Sequence, residues 1–306
     1  MSINKGDGLL MGSKLKIGIK TVLSLIRALK QSKFNCRTLP QTAKEGEACF
    51  VLGNGPSLFH DVADRLDFLS NQQVLCVNQF ANSEWFEKIK PSYYVLVDPM
   101  WWLDSAPQQT IVMRDALINS LLEKTNWKLY LLLPHEAKKL YSSKLSNSKY
   151  IQLVYFNRTP FWGARKLTYK LYDNGMGMPQ AQNVLVAALF LGMRLGFKNI
   201  ALLGADHSWH ESLVLDENNQ VCVRYGYFDN RTPKLAPFTI DGSTGNIFTM
   251  GKIFLAIGRM FESYQDIEMY SRHLGVKITN LSSMTCIDAF KRRNISEVLV
   301  MFSKSQ

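Results

Sequence analysis

Residues 49–58 read Cys49-Phe50-Val51-Leu52-Gly53-Asn54-Gly55-Pro56-Ser57-Leu58. An apolar run ends in a glycine-rich turn, Pro56 and Ser57 follow, and then a helical pattern begins. This is a strand–loop–helix unit of the kind that forms the first turn of a Rossmann-like half-domain. There, backbone N–H groups and a helix N-terminus approach a phosphate or a nucleotide. Spacing excludes two familiar versions. No Gly-Lys-Ser/Thr follows, so the loop is not a P-loop. Leu58 stands where the dinucleotide pattern G-x-G-x-x-G/A needs its third small residue. A glycine turn after a buried strand is often only a turn, so the other strand ends decide its meaning.

From about residue 46, strand-like and helix-like segments alternate. Apolar runs at 48–52, 74–77, 93–97, 128–133, 150–156, 199–203 and 276–280 predict strands, and 58–69, 83–88, 110–123, 182–195 and 248–273 predict helices. The alternation predicts an α/β fold, a Rossmann-like and mainly parallel sheet with helices on both faces. In such sheets, ligands bind outside the carboxyl ends of the strands. The polar clusters collect there: Gly53 to Ser57, Asn78-Gln79, Asp98-Pro99, and Gly204 to His210. Residues 208–248 are rich in Gly, Asn, Asp and Tyr, break the rhythm, and read as a lid-like insertion. The expected organisation is a basic amphipathic helix and linker over 1–45, then one Rossmann-like nucleotide-binding domain over 46–306.

The chain carries 36 Lys and Arg against 25 Asp and Glu, a formal net charge of +11. An excess of this size serves solubility or an anionic partner. Nucleic acid is not the expected partner, because no basic stripe with interleaved aromatics, zinc-ligand pattern or RNA-binding motif is present. Residues 13–33 hold Lys14, Lys16, Lys20, Arg27, Lys30 and Lys33 and no acid, with Leu15, Ile19, Val22, Leu23, Ile26 and Leu29 at helical spacing. Two readings stand. The helix lies on an anionic leaflet, or its apolar stripe packs on the domain's own core and its lysines are solvated. The five cysteines show no pairing spacing, which argues for a reducing compartment. No leader-like apolar region opens the sequence, and it has no run of about eighteen apolar residues. The expected location is cytoplasmic, peripheral on the inner face of the membrane if the first reading of the helix holds.

Val51 to Leu58, taken with Val77-Asn78-Gln79-Phe80, resembles the small bacterial sialyltransferases that use CMP-sialic acid. Val97-Asp98-Pro99 and the run Leu195-Gly196-Phe197-Lys198-Asn199-Ile200, leading to Leu203-Gly204-Ala205-Asp206, extend the similarity. The Gly-x-Gly-Pro-Ser-Leu signature is similar to that of a wider superfamily. That group takes in flagellin-modifying proteins linked to nonulosonic acids, Kdo transferases and 6-hydroxymethylpterin diphosphokinase-like proteins. The resemblance implies a glycosyltransferase that moves a nonulosonic acid or Kdo-like sugar from CMP to a glycan or lipid-linked glycan of the bacterial surface. It implies a CMP-sugar as donor substrate and no separate cofactor. The implied donor contacts are Gly53, Asn54, Gly55, Pro56, Ser57, Asn78, Gln79, Asp98, Gln182, Asn183 and Gly204, with Tyr225 and Tyr227 from the insertion. Two alternatives are kept. One is a pterin diphosphokinase-like enzyme using ATP, with Trp101 and Trp102 stacking on the heterocycle. The other is a non-catalytic nucleotide-binding scaffold. The sequence departs from the sialyltransferases in three places. Gln182-Asn183-Val184 replaces a threonine-serine pair, Asp98 replaces an asparagine, and Ile247 to Lys252 lacks the family's catalytic histidine.

A CMP-sugar has a good leaving group, so the chemistry needs donors for the charge that develops on its phosphate. The backbone of Asn54 to Ser57, Tyr225, Tyr227, Arg224 and Lys252 are the candidates. An inverting transfer also needs a base for the acceptor hydroxyl. Asp206-His207-Ser208-Trp209-His210-Glu211 concentrates titratable groups at one strand end, and His207 or His210 is the expected base. Asp206 is the nucleophile if the route is retaining. Two histidines three apart with one acid make an incomplete zinc set, and no metal is expected.

Overall fold

A computed structural model describes residues 5–225, 234–237 and 248–298, without the side chains of 5–14, 224–225 and 234–237. The strands in chain order are β1 (Ala48–Leu52), β2 (Gln73–Val77), β3 (Tyr93–Val95), β4 (Leu129–Pro134), β5 (Ile151–Phe156), β6 (Asn199–Leu203), β7 (Leu213–Leu215), β8 (Val221–Tyr225), β9 (Lys234–Pro237), β10 (Lys277–Asn280) and β11 (Lys291–Arg292). The helices are α1 (Lys5–Gln31), α2 (Ser57–Val62), α3 (Leu66–Ser70), α4 (Trp85–Ile89), α5 (Gln108–Lys124), α6 (Lys138–Leu145), α7 (Arg165–Asp173), α8 (Val184–Arg194) and α9 (Met250–His273).

Eight strands form one sheet in the order β11-β10-β6-β1-β2-β3-β4-β5, and every pairing is parallel. The expected α/β architecture is therefore present. β1 is buried along its whole length, and this explains why it reads as a continuous apolar run and not as an alternating one. Its side chains still alternate between two cores. Cys49 and Val51 join the cluster under α8 and α9, while Ala48, Phe50 and Leu52 join the cluster under α2 to α6. α8 is buried from Val184 to Met193 because it lies between the sheet centre and α9. An apolar surface all round suits that position.

The chain winds outward from β1 through β2, β3, β4 and β5, then returns to the other side of β1 to place β6. The order therefore reverses at β1, and the carboxyl ends of β1 and β6 flank the resulting crevice. Part of the insertion folds as a separate antiparallel sheet in the order β7-β8-β9. The helix expected over 58–69 is divided into α2, a 3-10 turn and α3. The division falls beside Asp61, whose Oδ2 accepts from the Ser283 N–H at 3.0 Å.

α1 forms as expected, but the reading that its apolar stripe packs on the core is not met. Ser24 and Ala28 are buried, whereas Leu15, Ile19, Val22, Leu23, Ile26 and Leu29 are 45–66% exposed. Among the described residues, no helix is long and apolar enough to cross a membrane.

Candidate functional site

The β1–α2 loop is fixed to the end of β6 by three contacts. Gly53 N–H donates to Leu203 O at 2.8 Å, and Gly55 N–H donates to Gly204 O at 2.9 Å. Asp206 closes the third contact. Its carboxylate accepts from Ser57 N–H at 3.0 Å and from Ser57 Oγ–H at 2.9 Å. The approach is so close that only glycine fits. A Cβ on Gly53 would stand 2.3 Å from Gly204 O, and one on Gly55 would stand 1.9 Å from Asp206 Oδ2. The two glycines therefore serve the close packing of two strand ends, a role the sequence alone did not separate from ligand binding.

This geometry revises the expected phosphate chemistry. The N–H groups of Gly53, Gly55, Ser57 and Leu58 all bond within the protein, and Pro56 has none. These four amides are spent within the protein. Moreover, the carboxylate of Asp206 already occupies the electropositive start of α2. Asp206 is buried at 4% exposure and acts here as a clamp between two strand ends.

A crevice opens above these ends in two lobes. The larger, about 660 Å³, runs along the ends of β1 and β2 and is lined by Asn54, Pro56, Phe59, Gln79, Trp85 and Trp101 among others. The smaller, about 300 Å³, lies between the ends of β1 and β6 and is lined by Asn54, Asn78, Asn183, Asp206, His207 and Trp209 among others. Asn54, Gly55, Pro56 and Asn78 border both lobes. Gly204 also lines the smaller lobe, whereas Asp98, Gln182 and His210 line neither. Asp98 instead caps the turn Pro99–Trp101 by accepting from Met100 N–H at 3.1 Å. Gln182 is exposed. Trp101 and Trp102 are 3% and 7% exposed, and of the two Trp101 lines the larger lobe while Trp102 lines neither. The side chain of Tyr225, and Tyr227 entirely, lie outside the described residues.

Two residues of the smaller lobe hold left-handed backbone conformations. Asn78 has φ +51° and His207 has φ +57°. Such values are uncommon for residues other than glycine, are tolerated best by Asn, Asp and His, and concentrate at functional sites. Asn78 is held by its own carbonyl, which accepts from the Tyr94 hydroxyl. Its side-chain Oδ1 is buried and has no hydrogen-bond partner. An acceptor in that state is costly unless something outside the apo protein donates to it.

His207 is 5% exposed and its ring stacks on Trp209 at 4.7 Å between centroids. Its Nε2 lies 2.6 Å from the hydroxyl of Tyr264, a fully buried residue of α9. Tyr264 Oη in turn lies 3.5 Å from Asn183 Oδ1, which accepts from Leu185 N–H at 2.8 Å as the N-cap of α8. The tautomer that uses every donor carries the imidazole proton on Nε2. Nε2–H then donates to Tyr264, Tyr264 O–H donates to Asn183, and Nδ1 keeps its lone pair. Burial lowers the His207 pKa from 6.5 to about 4, so the ring is neutral near pH 7.

His210 sits farther out and is exposed. His210, Glu211 and Cys286 each offer one ligand atom, all within 4.8 Å of one another. Cys286 reaches this place because its N–H donates to Asp206 O at 2.8 Å while Thr285 Oγ–H donates to Ala205 O at 2.7 Å. Burial, with Glu211 and Asp206 nearby, raises the Cys286 thiol pKa, so it stays protonated near pH 7. No local spacing in the sequence could reveal this third group. Tyr264 was missed for the same reason, since it lies 57 residues from the histidine it contacts.

No protein-family model matches the chain. No curated protein matches it. Among solved structures it is similar to the MAf glycosyltransferase from Magnetospirillum magneticum AMB-1, at 12% identity and a TM-score of 0.47. The alignment covers 91% of this chain and 39% of that one, so this chain spans well under half of that protein's length. No residue role is carried across from that likeness.

Proposed function

We propose that this chain is a glycosyltransferase that moves a nonulosonic acid or Kdo-like sugar from a CMP-activated donor to a bacterial surface glycan. The observation that carries the reading is the buried, partnerless Oδ1 of Asn78 at the border of both lobes. It is an acceptor in want of a donor; a turn of the Asn78 amide about its last side-chain torsion would present it to the crevice, where the exocyclic amine of cytosine is a donor. The position suits a nucleotide, since ligands of open parallel sheets bind where the strand order reverses. The Asn78-Gln79 pair is also the part of the sequence that resembles the CMP-binding strand end of the sialyltransferases.

The base in this reading is His207, whose Nδ1 takes the proton of the acceptor hydroxyl as that oxygen attacks the sugar and CMP leaves. Nδ1 of His207 holds a lone pair while Tyr264 and Asn183 fix the ring through Nε2. With a pKa near 4 the free ring is a weak base. A donor carrying a phosphate and a carboxylate adds negative charge beside it and raises that pKa toward the working range. With the amides of Gly53, Gly55, Ser57 and Leu58 bonded internally, the leaving phosphate draws mainly on side chains and on donors from the insertion.

The test measures CMP release and sugar transfer from CMP-sugars. Release of CMP by the native chain, with turnover lost in His207→Asn and kept in His210→Asn, is expected. His207→Asn suits the left-handed backbone, and its thermal midpoint, recorded beside turnover, separates lost chemistry from lost folding. The proposal is wrong if no CMP-sugar binds or turns over while a nucleoside triphosphate does.

A further inference from the structure

α1 docks on the body through its least apolar side. Ser24 Oγ accepts from Trp162 N–H at 3.2 Å, and Thr21 Oγ1 accepts from Ala164 N–H at 2.8 Å. Ala28 is fully buried beside them, and the carbonyl of Gln31 lies 2.9 Å from His135 Nε2. The apolar residues Leu15, Ile19, Val22, Leu23, Ile26 and Leu29 point elsewhere and are exposed. At about 100° per residue they fill an arc of about 120°, centred about 155° round the helix from the docked side. A stripe of this width is what a surface helix buries. Here it is turned away from the only core the described chain offers it.

The flank of that stripe is basic. Lys16, Lys20 and Arg27 fall within about 40° of one another at its edge. The sequence has no Asp or Glu from residue 8 to residue 44, and it has eight Lys and Arg there. Two acids of α9, Glu262 and Asp266, share a groove with Lys20 and Arg27. An apolar stripe with cations at its edge is complementary to an anionic bilayer, whose headgroups attract the cations while the acyl boundary takes the stripe.

We infer that α1 is an interfacial helix that seats this chain on the surface of an anionic membrane. Its placement also orients the molecule. α1 rests on the segments that leave the carboxyl ends of β4 and β5, and the crevice opens at the carboxyl ends of β1, β2 and β6. The membrane and the crevice share one end of the sheet. A lipid-linked acceptor follows from this, and that part rests on the transferase reading above, whereas the docking does not.

The experiment is flotation of the full chain with vesicles of phosphatidylcholine alone and of equimolar phosphatidylcholine and phosphatidylglycerol. Binding to the anionic vesicles alone is expected, weakening with salt. Lys16→Glu with Lys20→Glu should reduce partition by about fivefold for each cation removed. Leu23→Ser with Ile26→Ser should abolish it while the thermal midpoint stays unchanged, because both side chains are exposed. Absence of the native chain from the anionic fraction overturns the inference. So does native-like flotation of the Leu23→Ser, Ile26→Ser chain. A native dimer in solution that the same pair of substitutions converts to monomer also overturns it, since a second copy would then cover the stripe. CMP release measured in parallel separates the outcomes, because a failed docking leaves donor turnover intact.

Discussion

Replacing Gly55 by alanine isolates the clamp between β1 and β6. The added Cβ would stand 1.9 Å from Asp206 Oδ2 and 2.6 Å from Gly204 O. Neither neighbour can yield cheaply. Gly204 O is backbone and already accepts from Gly55 N–H, and Asp206 is buried and bonded to Ser57 by both oxygens. If the carboxylate swings away, two hydrogen bonds to a charged group are lost, about 1.5–3 kcal/mol each, with part recovered from water in the crevice. Overpacking adds about 1–3 kcal/mol. A net cost of about 4 kcal/mol is a large share of the roughly 5–15 kcal/mol that holds a domain together. Gly258 supplies the control. It lies in α9 with nothing within 4 Å of a built Cβ, so Gly258→Ala should stabilise by about 0.5–1 kcal/mol. Urea unfolding reads both. With a slope near 3 kcal/mol per molar for a chain of this size, the two midpoints should differ by about 1.5 M. Equal midpoints would refute the clamp, because the strand ends would then have room that the geometry denies them.

Four further outcomes are expected. Burial holds His207 neutral with a folded pKa of about 4 against an ordinary 6.5, so the unfolded chain protonates first as pH falls. The stability from this group is complete above pH 6.5 and is lost as pH falls toward 4, by about 3 kcal/mol. Unfolding curves of the native chain and His207→Asn should diverge over that window and run parallel above it, and parallel curves throughout would show a ring that titrates normally. Asn78→Gly keeps the left-handed backbone and removes the amide, so it should fold normally yet bind CMP about tenfold more weakly by calorimetry; unchanged affinity would exclude a contact to Oδ1. Tyr264→Phe leaves the His207 Nε2–H without its acceptor and should cost about 1–3 kcal/mol, while kcat falls and KM stays level. Dialysis against EDTA should leave CMP release unchanged, and a loss restored by zinc would bring His210, Glu211 and Cys286 into the chemistry.

What the sequence made legible is local. β1, β2 and β6 announce themselves as apolar runs ended by polar clusters, because a strand buried on both faces leaves its composition no other choice. The crevice follows, since the ends of those strands must meet where the order reverses. Contacts between distant segments were not legible. Asp206 and Ser57 are 149 residues apart, and nothing near either one says that the carboxylate spends both oxygens on the loop. Asp98 after β3 and Gln182 before α8 had residue types suited to a ligand, and yet they line neither lobe. A strand-end carboxylate can cap its own turn as readily as it can meet a ligand. α1 shows the opposite failure. Its periodicity was clear, but a hydrophobic stripe states only that something apolar covers it, and the sequence cannot say whether protein or lipid does so.

The clamp also constrains the chemistry more tightly than any single candidate residue. A phosphate at the start of α2 would meet the carboxylate of Asp206 and the amides of Gly55, Ser57 and Leu58 already bonded, so that anion site is disfavoured here. On the proposed transferase reading, the donor's negative charge would lie farther along the crevice, on the side of the smaller lobe lined by His207, Ser208 and Ser212. That displacement has a chemical consequence. It would bring the charge next to a neutral imidazole whose pKa is depressed by burial, a group that a nearby anion turns into a better base. Disfavouring that phosphate site and arming His207 would then be one arrangement. Ser57→Ala should separate them: it removes one of the two bonds on Asp206, frees the carboxylate to turn, and should shift the pH dependence of kcat along with the stability. A stability loss with an unmoved pH profile would show that the clamp and the base are independent.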